Sequence, residues 1–254
     1  MGQRLDNAKA IYLEGIRDGD YEVAVNKYVG QRYTQHSTPV RDGKDGFIEF
    51  FADFIDRNPI RDIEIIRGFE DGHFVFVQAH QKLNNGEFAY VTADIFDTDD
   101  DAKIVEHWDM IAEVEPTSVS GRTPIDGPTE VTDLDKTEVN KHLVSEFAAK
   151  VLVGADLALT STYVHADLAQ HDARIADGLD AFVSYATANG LVYKQIHKVI
   201  GSGNFVAVLA EAEIAGTATA LIDLYRVENG LIAEHWVVSE EITDPSTWVN
   251  SGKF

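Results

Sequence analysis

Apolar positions change their period along the chain, and they do so twice in the same order. Over residues 4–18, Leu5, Ala8, Ile11, Tyr12, Gly15 and Ile16 recur at the three- and four-residue spacing of one helical face. Gly19-Asp20 breaks the pattern, and a shorter helix is predicted near 21–29. After a loop, Asp42-Gly43 opens a third helix that carries Phe47, Phe50, Phe51, Phe54 and Ile55 on one face; Asn58-Pro59 ends it. The period then shortens to that of strands, at 62–69, 73–83, 87–97 and 103–114, with Asn84-Asn85-Gly86 as a hairpin turn.

The second round predicts helices near 137–152, 155–163 and 178–188 and strands near 192–200, 204–214, 217–227 and 231–241, with a hairpin at Asn229-Gly230. Residue matches accompany the repeated pattern. Tyr33-Thr-Gln-His36 aligns with Leu168-Ala-Gln-His171 at an offset of 135, as do Asp42-Gly43 with Asp177-Gly178 and Phe47 with Phe182. The offset falls to 131 at Gly72/Gly203, 129 at Asp94/Asp223 and 128 at Glu106-His107-Trp108 against Glu234-His235-Trp236. Loop shortening between elements produces such a drift. The chain therefore reads as two diverged copies of one α+β domain, 1–118 and 134–254, joined by a polar linker at 119–133. Prolines and small polar residues around that linker favour turns and extended chain.

Composition narrows the function. The net charge of −22 repels phosphate backbones and anionic bilayers, so neither nucleic acid nor membrane is expected as a partner. No run of about 18 apolar residues is present and the N-terminal residues lack a secretory pattern, so a cytoplasmic location is expected. With no cysteine there is no thiolate nucleophile or thiolate metal site. The histidine and aspartate separations match no ligand motif beyond a loose His-x-Asp, and neither a metal nor another cofactor is expected. Serine-nucleophile and phosphate-loop signatures are absent as well.

Strand alternation puts His107 and Asp109 on one face of 103–111, and Tyr90, Asp94 and Phe96 on one face of 87–97. Phe76, Gln78 and His80 share a face of the preceding strand, and His80 is expected to join the others.

Several strings resemble the SnoaL-like polyketide cyclase family. They are Gln35-His36 before Asp42-Gly43-x-x-Gly46-Phe47-x-x-Phe50-Phe51, Asp94-Ile-Phe, Lys103-Ile-Val-Glu-His-Trp-Asp109, and the tail from Asp244 to Phe254. That family belongs to the cone-shaped α+β superfamily with ketosteroid isomerase, scytalone dehydratase and nuclear transport factor. The resemblance implies three helices per domain closing a curved, mostly antiparallel sheet around a pocket. It also implies an internal pseudo-dimer of the two copies, with further self-association left open. By similarity to ketosteroid isomerase, Asp94 sits at the position of a hydrogen-bond-donating aspartic acid, Tyr12 at that of its partner tyrosine and His36 at that of the general base.

The expected activity is acid–base chemistry without a cofactor on a small hydrophobic carbonyl compound: aldol-type cyclisation, isomerisation or dehydration. Candidate catalytic residues are Tyr12, His36, Asp94, His107 and Asp109, with His80, Phe51, Tyr90 and Phe96 contacting the ligand. Copy two keeps His171, Asp223 and His235, and it has Glu211 where copy one has His80. These four are its ligand-contact candidates. Phe147 replaces Tyr12 and Val237 replaces Asp109, so copy one is the expected working site. A non-catalytic module binding a small molecule or a protein partner remains the alternative.

Overall fold

In the computed structural model, which describes residues 2–254, the first amphipathic stretch forms α1 (Gln3–Ala10) and widens into a π-helical turn over Ile11–Arg17. Leu5, Ala8, Ile11, Tyr12 and Ile16 are its buried face. There follow α2 (Tyr21–Tyr28), β1 (Val29–Gln35) and α3 (Gly43–Arg57), then β2 (Arg61–Asp71), β3 (Phe74–Leu83), β4 (Phe88–Thr98) and β5 (Ile104–Glu113). Their sheet has the order β1-β5-β4-β3-β2, antiparallel except where β1 runs parallel to β5.

The second copy repeats this plan. It comprises α4 (Thr137–Phe147) with a π-helical extension over Ala148–Val153, α5 (Thr160–Tyr163), β6 (Val164–Gln170), α6 (Leu179–Ala188), β7 (Val192–Ser202), β8 (Phe205–Ile214), β9 (Thr217–Glu228) and β10 (Leu231–Glu241). Its sheet order is β6-β10-β9-β8-β7, again with one parallel pair. The α+β class and the tandem arrangement thus agree with the hydrophobic pattern.

Two features differ from expectation. β1 and β6 are strands rather than loops. Each is a short edge strand with three paired residues and a register shift, and polar Gln31 and Arg32 interrupt the apolar signal of β1. The second difference is where the segments belong. The two compact units are Met1–Glu113 with Thr243–Phe254, and Val114–Ile242. The segment read as a linker therefore packs as part of the second unit, and the C-terminal tail as part of the first. Backbone groups account for both: Asn204 donates to the Thr132 carbonyl at 2.9 Å and Trp236 to that of Asp126 at 3.0 Å. In the first unit, Val249 donates to the Thr38 carbonyl, and the Asn250 amide to the carbonyls of Ser37 and Val40. A polar, proline-rich segment still has backbone donors and acceptors to satisfy.

One repeated glycine pair tests this docking. Gly72 and Gly203 occupy equivalent turns with φ of +61° and +57°. A Cβ on Gly72 meets nothing within 4 Å, whereas one on Gly203 falls 1.9 Å from the Thr132 carbonyl oxygen. Gly72→Ala is expected to cost about 1–2 kcal/mol from its left-handed backbone alone. Gly203→Ala costs more, because the docked segment must move. Chemical denaturation of the two variants checks the order; equal losses would contradict the docking.

Candidate functional site

Cross-strand partners share a face, so the register decides which side chains meet. Asp94 of β4 lies opposite Val77 of β3 and Asp109 of β5, and Tyr90 lies opposite Gln81. This face of the sheet and the helices enclose a cavity of about 490 Å³. Tyr12, Tyr33, Gln35, Asp94, His107 and Asp109 supply its polar wall. Phe47, Phe50, Phe51 and Phe54 of α3 face them, spaced to keep one helical stripe, with Phe96 and Tyr90 from β4.

Asp94 is 1% exposed and surrounded by donors. The Tyr12 hydroxyl lies 2.8 and 2.7 Å from its two carboxyl oxygens, the Thr92 hydroxyl donates to Oδ2 at 2.9 Å, and His107 Nε2 is 2.8 Å from Oδ1. Burial pushes the Asp94 carboxyl up, against the opposing effect of the His107 hydrogen bond. Burial, followed by the Asp94 charge, likewise pushes the Tyr12 phenol well up.

The proton arrangement follows from Gln35. Its Oε1 accepts from the backbone N–H groups of His36 and Ser37, both at 3.1 Å, which fixes the amide oxygen at that end. His107 Nδ1 is 3.0 Å from the same oxygen and must therefore donate. A neutral His107 then presents a bare Nε2, to which Asp94 donates its proton; alternatively the ring holds that proton and donates to the carboxylate. Either way one proton lies between Asp94 and Nε2. Gln35 is held in turn by its N–H, which donates to Asp42 Oδ1 at 2.7 Å. The Gln-His and Asp-Gly strings of the sequence thus belong to one support.

Asp109 lacks such a shell. The Lys253 ammonium approaches its Oδ1 at 3.4 Å and donates to its main-chain carbonyl at 3.2 Å. Tyr33 accepts from Gln35 Nε2 at 3.1 Å, and its own hydroxyl hydrogen has no acceptor among the described residues. Burial, with the Asp109 charge nearby, pushes the Tyr33 phenol strongly up, so it stays a donor. The cavity therefore presents a carboxylate able to take a proton, a phenol able to donate, and a buried pair sharing a proton.

Tyr12, Asp94, His107 and Asp109 converge as expected, and Phe51, Tyr90 and Phe96 line the same space. Two residues do not. His36 is on the other side of the sheet, stacked on Trp108 at 4.8 Å between Glu106 Oε1 and the Gly252 carbonyl. Despite burial, the hydrogen bonds of His36 and Arg32 hold the Glu106 carboxyl below its ordinary value. His80 shares the face opposite Gln81, away from the cavity, and burial pushes its imidazole down. β3 is buried on both faces, so its alternation does not reveal which face is inside. Tyr33 and Lys253 were missed: Tyr33 fell in the segment read as loop, and Lys253 in a tail read as belonging to the second domain.

The second unit keeps the support and alters the contents. Gln170 Oε1 lies 3.1 Å from His235 Nδ1, and His235 Nε2 2.8 Å from Asp223 Oδ1. His171 stacks on Trp236 at 4.5 Å between Glu234 and the Thr123 carbonyl, as His36 does in the first unit. The phenol on Asp223 comes from a strand instead of the π-helical turn: Tyr193 of β7 donates at 2.8 Å. Phe147, Tyr193 and Tyr225 join one hydrophobic cluster, with Val237 packed against it. Val237 faces Asp223 where Asp109 faces Asp94. Glu211 pairs in register with Gln195 of β7, is only half-buried, and is not part of that cluster.

No group of three or more metal-binding side chains is found among the described residues, and no helix there is long and apolar enough to cross a membrane.

Helices closing a five-stranded sheet around a polar-walled cavity define the class of the first unit as an α+β pocket domain. Residues 11–107 match the family model described as SnoaL-like domain. No curated protein matches the chain. Similar solved structures include a candidate ketosteroid isomerase from Kribbella flavida DSM 17836, with 12% identity over 43% of this chain and 84% of that one, at a TM-score of 0.38. An NTF2-like protein of unknown function from Cytophaga hutchinsonii ATCC 33406 is 20% identical over 45% of this chain and 95% of its own, at 0.35. IdmH, a candidate polyketide cyclase from Streptomyces antibioticus, is 16% identical over 40% and 91%, at 0.33.

The raised Asp94 carboxyl has a consequence for stability. As pH rises above the ordinary carboxylate range, the unfolded chain releases this proton while the folded one keeps it, which weakens folding until Asp94 itself ionises. Asp94→Asn has no such proton. Wild type is expected to lose stability relative to the variant as pH rises through that interval, measured by denaturant titration at successive pH values. A difference independent of pH would contradict the shift.

Proposed function

We propose that the first unit is an acid–base enzyme acting through its own side chains on a small hydrophobic carbonyl compound. The observation that carries this reading is the unequal environment of two facing carboxyls. Asp94 is saturated by donors, whereas Asp109 faces the cavity with one long ion-pair contact.

In the proposed reaction, Asp109 removes a proton from the carbon next to the substrate carbonyl. The C–H electron pair moves into the enolate, whose oxygen receives the Tyr33 hydroxyl hydrogen bond. Tyr12 spends its hydrogen on Asp94 and acts as a positioning residue for it. The enolate then regains a proton at another carbon in isomerisation. In aldol closure its carbon instead attacks a second carbonyl, whose oxygen takes the proton from Asp109. In dehydration the enolate electron pair forms the new C=C bond as the β C–O bond breaks, and the leaving hydroxyl takes the proton from Asp109 to depart as water. The phenylalanine wall supports an apolar substrate body by shape and desolvation. In the second unit Val237 stands in place of Asp109, so the counterpart of the proposed base is missing and that unit is proposed to be non-catalytic.

Exchange of α-protons in D2O, followed by proton NMR over a panel of small aryl and alicyclic ketones, tests the reading without a known substrate. The protein is expected to accelerate exchange in at least one member. Asp109→Asn should slow it by about 10²- to 10⁴-fold, and Tyr33→Phe by about 10²- to 10³-fold. Asp223→Asn should leave the rate near that of the unchanged protein. Exchange no faster than in buffer across the panel, or a rate unaffected by Asp109→Asn, would sink the proposal.

A further inference from the structure

The cavity has a chemically distinct outer end. Along α3, ten residues separate Phe47 from Arg57, about 15 Å of helix. Phe47 is 2% exposed and packs against Tyr33, whereas Arg57 is exposed; both line the cavity. Phe88 and Asn84 lie at the same end as Arg57, because the Asn84 amide donates to the Arg57 carbonyl at 3.3 Å. On β4, six residues separate Phe88 from Asp94, about 20 Å of strand. Arg57 thus stands at the mouth, away from the carboxyls on the polar wall.

Two groups at this mouth have unused hydrogen-bonding capacity among the described residues. The Arg57 guanidinium bonds to the Asp53 carbonyl of its own helix, at 3.2 Å from Nε, and forms no ion pair among the described residues. By contrast Arg17, Arg32 and Arg41 each meet a carboxylate. The second group is Asn84. Its Nδ2 donates to the Arg57 carbonyl and to Asn58 Oδ1, at 3.3 and 3.1 Å, which fixes the orientation of the amide. Its Oδ1 is then buried without a hydrogen-bond partner. A buried acceptor left unmade is costly, and a guanidinium with open donors is suited to bidentate contact with a carboxylate.

We propose that the mouth is a carboxylate subsite: the substrate carries a terminal carboxylate for Arg57 and, beside it, an N–H or O–H donor for Asn84 Oδ1. An acylated amino acid or hydroxy acid with its ketone at the far end has this chemistry. The inference rests on the reading above that the cavity takes an apolar carbonyl compound, and it adds the polar end that reading leaves open. A chain of net charge −22 repels anions as a whole, so any preference for an acid over its ester requires a local cation.

Calorimetric binding of N-(4-acetylbenzoyl)glycine, its methyl ester and its N-methyl analogue tests the subsite. The acid is expected to bind at least about tenfold tighter than the ester, a difference of about 1.4 kcal/mol. Arg57→Gln should remove that preference, weakening the acid at least about tenfold more than the ester. The N-methyl acid, unable to donate to Asn84, should bind more weakly than the acid. Failure of the acid to bind, equal binding of acid and ester, or a ratio that survives Arg57→Gln would overturn the carboxylate site; an unaffected N-methyl acid would overturn the role of Asn84. Because these are equilibrium measurements, loss of the subsite and loss of the proton-transfer reading are separately visible.

Discussion

A single amide oxygen organises the polar interior of the first unit. Gln35 Oε1 receives two backbone N–H groups and an imidazole N–H at 3.0 to 3.1 Å. That arrangement sets which nitrogen of His107 carries a proton, and hence leaves one shared proton for Nε2 and Asp94. Without it, a carboxyl 1% exposed beside a second carboxyl across the sheet would be an expensive buried charge. With it, Asp94, Tyr12, Thr92 and His107 form a satisfied network, and Asp109 is left as the group facing the cavity with capacity to spare.

The same support recurs in the second unit, through Gln170, His235 and Asp223, though Val237 has replaced the facing carboxyl there. The Gln–His–Asp relay persists although its phenol changes source, from Tyr12 of the π-helical turn in the first unit to Tyr193 of β7 in the second. What distinguishes the two copies is the filling around the relay. Phe147 and Tyr225 take the places of Tyr12 and Phe96 in the second unit's hydrophobic cluster, and Val237 in place of Asp109 packs against it. The tails obey the repeat too: the carbonyls of Gly252 and Thr123 meet His36 and His171 at the same 2.7 Å.

Most of the architecture was legible because helix and strand periods are local properties, and the ordered matches between copies reinforced them. Asp94, His107 and Asp109 were found by strand parity together with the family positions, which indicated the interior face of β4 and β5. Parity failed at β3, where both faces are buried and His80 fell on the wrong one. His36 was placed by family position, but the backbone turns after Gln35 and sends its ring to the Glu106–Trp108 face. Lys253 and the role of Tyr33 depend on tail docking and on a parallel edge strand, tertiary facts with little local signature. Arg57 read only as the end of a helix; its significance comes from its place at the rim of a cavity without an ion pair among the described residues.

The central claim, that Gln35 forces His107 to donate through Nδ1 and thereby leaves a shared proton on Asp94, is open to direct observation. Nitrogen-15 NMR of the imidazoles in the intact protein at neutral pH distinguishes the two ring nitrogens and their protonation. The account predicts a protonated Nδ1 in His107 with Nε2 in a strong hydrogen bond, a signature shifted when Asp94→Asn replaces the partner. A bare Nδ1 with the lone ring proton on Nε2 would contradict it.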